Sequence, residues 1–232
     1  MIETESIPRR QMTLFFMIDK SGSMIGNKIG SVNDAIKNVL PIIGEISDEN
    51  PDAEIRVAAL EFSTGVDWKY DKPMEAKDFI WQDVQAAGLT SLGAACTELS
   101  KKLSRSGFMS TPSGCFAPAI ILLSDGGPTD NFEAGLRDLQ SNNWFKNAIK
   151  IAIAIGDDAN YAVLEQFTGN SESIFEANNA DALKSIIRIA AVTSSQIGSR
   201  SGNADATTKQ EQVIKEIHQQ VEQADTSDAE EC

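Results

Sequence analysis

Histidine occurs once in 232 residues, at His218, and cysteine three times, at Cys96, Cys115 and Cys232, never in a CxxC spacing. One imidazole leaves a zinc site or a Ser-His-Asp relay hard to build in the main body. An odd, unpatterned set of thiols gives no disulfide framework. Basic residues are also scarce: 20 Lys and Arg stand against 34 Asp and Glu, a formal net charge of −14. Binding phosphate backbones requires a basic surface that releases counterions, so the balance argues against nucleic acid, and equally against anionic membranes. Acidic excess serves solubility first and is compatible with a cation or a basic protein partner. Long apolar runs are missing too. MTLFFMI, two residues beyond Arg9-Arg10 and ended by Asp19, is too short for a signal segment or a membrane span, so a cytoplasmic location is expected. No GxxxxGK[ST] phosphate loop is present, and SGSMIG lacks the GxSxG of a nucleophile elbow.

What is present suffices for one sizeable core, with 41% of residues hydrophobic. Four apolar runs have the length and β-branched content of buried strands: Met12–Ile18, Glu54–Phe62, Ala117–Leu123 and Ala148–Ile155. Three are nearly continuous rather than alternating, which suits parallel strands covered on both faces. Val66–Tyr70, after Ser63-Thr64-Gly65, is placed to form a hairpin and an antiparallel edge, and Ser173–Phe175 is a last short strand. Between them lie helical stripes. Ile29, Val32, Ile36, Val39, Leu40 and Ile43 recur at three- and four-residue steps, with Pro41 expected to kink or end the helix early. Leu92, Ala95, Cys96, Leu99 and Leu103 form a second stripe; 132–139, 161–167 and 180–192 follow. The order β-α-β-β-α-β-α-β-α-β-α is the rhythm of a doubly wound α/β sheet. Residues 1–11 read as an N-terminal extension, 12–195 as the domain, and 196–232 as an acidic, mostly flexible tail. A short stripe at Val213, Ile217 and Val221 allows that tail one short helix.

In an open parallel sheet, ligands bind beyond the carboxyl ends of the strands, where the strand order reverses. Asp19 closes the first strand and Asp125 comes two residues after the third long run, so neighbouring strands would bring both carboxylates to one crevice. Ser21 and Ser23 alternate in the glycine-containing turn that follows Asp19, and Thr90 sits before a helix. Taken singly, these are ordinary helix-capping residues. Together they make an all-oxygen set of low charge, which suits Mg²⁺ (or Mn²⁺) better than zinc or copper.

Asp19-Lys20-Ser21-Gly22-Ser23, Thr90 and Asp125 resemble the DxSxS…T…D metal-ion-dependent adhesion site of von Willebrand factor A domains, over about residues 12–192. GLTSLGAA and LLSDGGPTDN are most similar to the bacterial TerY-like branch associated with tellurite resistance and stress. The resemblance implies a six-stranded, mostly parallel sheet flanked by helices. It implies a metal held by Asp19, Ser21, Ser23, Thr90 and Asp125, and a partner Asp or Glu that completes the coordination. It further implies a non-catalytic interaction module, with a protein kinase or a PP2C-type phosphatase as candidate partner.

Two rival readings remain. One is a metal-dependent hydrolase or phosphatase acting through Asp19; however, the acid expected two residues on is Ser21. The other is a scaffold that binds through its tail. Glu61, Asp130, Asp157 and Asp158 are expected as solvated rim acids, with Asp130 also a candidate cap for the helix near Phe132, and Cys96 as a core residue.

Overall fold

A computed structural model describes residues 8–177, 179–200 and 206–230. Seven strands make a single sheet: β1 (Arg10–Asp19), β2 (Ala53–Phe62), β3 (Val66–Trp68), β4 (Met74–Glu75), β5 (Ala119–Ser124), β6 (Ile149–Ile155) and β7 (Ile174–Ala177). Their order is β3-β2-β1-β5-β6-β7, with β4 paired to β2 off this path. The pairs β1–β2, β1–β5, β5–β6 and β6–β7 are parallel, whereas β3 and β4 run antiparallel to β2. The chain builds outward from β1 on one side and then returns to its other side with β5. The strand order therefore reverses at β1, and a crevice opens beyond the tips of β1 and β5.

The continuous apolar runs are explained by cover on both faces. Met12, Leu14, Phe16 and Ile18 of β1 face helices α1 (Asn27–Glu49), α6 (Ala180–Gly198) and α7 (Ala206–Glu230). Phe15 and Met17 face α2 (Leu92–Lys102), α3 (Phe132–Ser141), the short α4 (Asn143–Lys146) and α5 (Tyr161–Thr168). Successive side chains point to opposite faces, so each residue of the run has a core to enter. The loop rich in turn residues before β5 contributes Phe108, stacked 6.3 Å from Phe15 and edge-on to Trp68 at 4.8 Å.

Two expectations are corrected. Pro41 does not end α1, which continues eight residues further to Glu49. Proline removes the donor to the carbonyl of residue 37, but Lys37 and Pro41 are both exposed, so water can satisfy that oxygen, while Ile43, Gly44 and Ser47 beyond it remain buried. Where one short helix is expected within 196–232, α6 reaches Gly198 and α7 spans 25 residues; residues 201–205, 231 and 232 of that segment lie outside the described ones. Val213 and Ile217 of α7 are fully buried. The Gln210 amide accepts from Lys150 N at 2.8 Å and donates to Lys150 O at 2.8 Å, below the point where β7 joins β6. One side chain there takes the place of a strand. His218 packs 4.7 Å from Phe175.

Among the described residues no helix is long and apolar enough to cross a membrane. Ile217→Ala is expected to cost about 2–5 kcal/mol of unfolding free energy, read from urea denaturation. A helix lying free in solvent would lose nothing.

Candidate metal centre

Asp19 is the last residue of β1 and is fully buried. Its Oδ1 accepts from Ser21 N at 2.8 Å and its Oδ2 from Ser124 Oγ at 2.6 Å. The second bond ties the tip of β1 to the tip of β5. Ser124 Oγ in turn accepts from Gly126 N at 2.8 Å, which starts the turn that carries Asp125 out of the strand. Gly126 has φ +69°, and a Cβ there would lie 2.9 Å from Asn160 O, so the turn accepts only glycine without displacement. Asn160 N donates to Asp125 O at 2.6 Å and fixes the other side of the same turn.

After Asp19 the chain turns through a short 3-10 segment, Gly22–Met24, and Ser21 Oγ and Ser23 Oγ lie 3.0 Å apart. The third loop lies alongside. Ala87 N donates to Lys20 O at 2.8 Å and Gly22 N to Gly88 O at 2.9 Å. Thr90, buried at the end of that loop, is clamped from the β5 side: Thr90 N donates to Thr129 Oγ1 at 3.1 Å and Thr129 N to Thr90 O at 2.8 Å. Asp19, Ser21, Ser23, Thr90 and Asp125 thus stand on three loops joined by backbone hydrogen bonds at one end of the sheet.

Of the expected rim acids, Asp130, Asp157 and Asp158 are exposed, whereas Glu61 is not solvated. Glu61 is buried and paired with Lys20 at 2.9 Å and with Lys69. Asp130 accepts from Gly93 N at 3.0 Å and Ala94 N at 2.8 Å, and so caps α2 from across the loop. The cap of α3 is Asn131 instead, accepting from Ala134 N at 3.2 Å. Asp158 pairs with Lys28 at 3.2 Å, and Asp157 is exposed. Cys96 is buried, and desolvation holds its thiol well above the ordinary range.

Ser124 and Thr129 escaped the sequence reading as parts of the site. A hydroxyl ending the otherwise aliphatic AIILLS run was the available signal for Ser124. Thr129 gave none, because its partner lies 39 residues away.

Burial pushes the Asp19 carboxyl upward; the hydrogen bonds from Ser124 and Ser21 oppose this, and the charge of Asp125 adds to it. Among the described residues no lysine or arginine pairs with Asp19 or Asp125. Nor do three His, Cys, Asp or Glu side chains gather anywhere among them to hold a metal. Two mutually repelling carboxylates without a counter-charge, beside neutral hydroxyls, are a donor set that fits a hard divalent cation.

An α/β domain with this strand order and this oxygen-lined crevice belongs to a recognised class. The chain is a member of the von Willebrand factor type A domain family, whose profile matches residues 13–189. It is 27% identical over 192 residues to mouse (Mus musculus) inter alpha-trypsin inhibitor heavy chain 4, covering 76% of this chain and 19% of that protein, about a fifth of the relative's length. Among solved structures it resembles the pilus adhesin SpaC of Lactobacillus rhamnosus GG in its open conformation, with TM-score 0.64 and 16% identity over 82% of this chain and 30% of that one. The proximal thread matrix protein 1 of the mussel byssus, with its MIDAS motif occupied by zinc, gives 0.59 at 16% identity over 81% and 48%. The ArnB paralog VWA2 from Sulfolobus acidocaldarius gives 0.57 at 24% over 78% and 45%. At these identities the likeness is one of fold.

The raised Asp19 carboxyl has a consequence for stability. A group whose folded pKa lies above its unfolded value, about 3.9 for Asp, supports folding at acid pH and loses that support as pH rises through the folded value. In chelator, Asp19→Asn should therefore be more stable than the parent at pH 7, with the advantage fading toward pH 4 in thermal melts. An equal difference at both pH values would refute the assignment.

Proposed function

We propose that the chain is a non-catalytic interaction module that holds one Mg²⁺ (or Mn²⁺) at Asp19, Ser21, Ser23, Thr90 and Asp125 and uses it to capture a carboxylate of a protein partner. The observation that carries this reading is the buried Asp19 beside Asp125 with no cation partner among the described residues, in a crevice whose remaining donors are hydroxyls. When bound, the metal would supply a Lewis-acidic position for an incoming oxygen. Asp19 would lower the net charge on the ion, Ser21, Ser23 and Thr90 would offer neutral oxygens that leave it electron-poor, and Asp125 would anchor it from β5. Thr129 and Asp130 serve as positioning residues, since they hold Thr90 and the start of α2 against the Asp125 loop.

Zinc suits the site less well, because the sole imidazole, His218, packs against Phe175 and the carbonyl of Glu172 before β7, at the opposite end of the sheet. A hydrolase reading needs an acid beside Asp19 other than Asp125, which the proposed metal would occupy. Ser21 occupies the position expected for one, Glu61 is held by two lysines, and Asp130 is held by two amides. The bacterial TerY-like setting, with a kinase or PP2C-type phosphatase as partner, rests on GLTSLGAA and LLSDGGPTDN and belongs to the same proposal.

Calorimetric titration tests this. The parent should release or absorb heat with Mg²⁺ and Mn²⁺ at one site. Asp19→Ala and Thr90→Ala should each weaken the metal by about tenfold or more. Asp130→Ala should weaken it less and also cost about 1 kcal/mol of stability as a lost helix cap. Partners captured from cells should be lost in EDTA and with Asp19→Ala. Absence of metal-dependent heat, or undiminished capture by Asp19→Ala, would overturn the proposal.

A further inference from the structure

Four large apolar side chains are conspicuously exposed among the described residues: Ile25 at 66%, Ile80 at 71%, Leu89 at 58% and Tyr161 at 42%. Scattered surface apolar residues are normal. Their placement here is not scattered. Ile25 lies two residues beyond Ser23, and Leu89 immediately precedes Thr90. The two loops are joined by the Gly22–Gly88 hydrogen bond at 2.9 Å, and Leu89 is pinned by its own N–H, which donates to Thr64 Oγ1 at 3.1 Å. Tyr161 follows Asn160, the residue that holds the Asp125 turn. Ile25 and Leu89 therefore stand on two of the loops that present the proposed donors, and Tyr161 begins α5 beside the third.

The charges around the same rim are mostly cancelled. Lys20 is taken by Glu61, Lys28 by Asp158, and Asp130 by the α2 amides. Asp157, exposed and without an ion-pair partner among the described residues, disfavours further acids next to a bound carboxylate. Such a rim offers little to basic or polyacidic neighbours and two large hydrocarbon surfaces to apolar ones.

We infer that Ile25 and Leu89 form an apolar collar that selects a single partner Asp or Glu flanked by large apolar residues. The inference rests on the metal-carboxylate reading above and specifies its partner. Ile25 would pack against the residue on the Ser23 side of the captured carboxylate and Leu89 against the one on the Thr90 side. The area each buries adds to affinity without touching the ion.

Three fluorescent peptides test the collar, each with one central Asp flanked by Leu and Phe, by Ser and Gly, or by Lys. Their binding is followed by anisotropy in Mg²⁺ and in EDTA. The Leu/Phe peptide should bind about tenfold more tightly than the Ser/Gly peptide. The double variant Ile25→Ser/Leu89→Ser should erase that advantage while calorimetry shows unchanged Mg²⁺ affinity. Both side chains are exposed, so the variant should melt like the parent. Equal binding of all three peptides, preference for the Lys peptide, or an advantage that survives in the variant would overturn the collar and leave metal-dependent capture standing. Binding indifferent to EDTA would overturn the underlying reading as well. Mg²⁺-dependent self-association in sedimentation, abolished by the variant, would assign the collar to a second copy of this chain and likewise overturn the inference.

Discussion

The hydrogen bond from Ser124 Oγ to Asp19 Oδ2 joins the tips of β1 and β5 at the place where the sheet changes direction. A parallel sheet covered on both faces can keep its strands apolar along their length and admit polar groups only at their ends. Here the two polar ends meet, and Asp19 has no access to water. A carboxylate in that position must be protonated, hydrogen-bonded or countered by a cation. Its protein partners supply two hydrogen bonds. The charge of Asp125 pushes the other way. The rest of the crevice is arranged around that imbalance.

The loops that carry the other donors have little regular structure, yet they are not free. Lys20 O and Gly88 O take amides from across the first two loops, Thr90 exchanges hydrogen bonds with Thr129, and Asp130 grips the start of α2 with both oxygens. Each contact links segments far apart in the chain, so ordering one loop orders its neighbour. Loop entropy is thereby spent in folding rather than on arrival of a ligand. Oxygens held in this way can discriminate by geometry as well as by charge.

The strand runs, their order and the ends at which polar clusters fall were legible in the sequence because they follow short periods and a topological rule. Other features depended on partners that no local window contains. Glu61 looks like an ordinary loop acid until Lys20, 41 residues earlier, is folded onto it. Asp130 looks like the cap of the helix that follows it, but its amides come from α2. The α7 segment has too few apolar residues for an independent amphipathic helix; Val213 and Ile217 are buried because α6 and β6 are there to receive them, with Gln210 completing the backbone pairing of Lys150. Pro41 was misleading for the opposite reason. The local rule was sound, but the exposed side of α1 lets solvent absorb the lost hydrogen bond.

A net charge of −14 runs counter to the proposed capture of a carboxylate. Distance and screening resolve this. At physiological salt, exposed charges beyond about 8 Å contribute little, so the field at the crevice is set by groups on the three loops and at the strand tips. Most of those acids are already satisfied: Glu61 by Lys20 and Lys69, Asp158 by Lys28, and Asp130 by backbone amides. Asp19 and Asp125 are left as the local negative charges facing inward, and one divalent cation would neutralise both. An incoming anion would then meet an ion whose charge is already balanced by the protein but whose neutral hydroxyl donors give it little electron density. Under that reading attraction would owe little to long-range field and would be short-ranged and orientation-dependent. Recognition under the proposed reading would then rest on groups that reach the crevice itself.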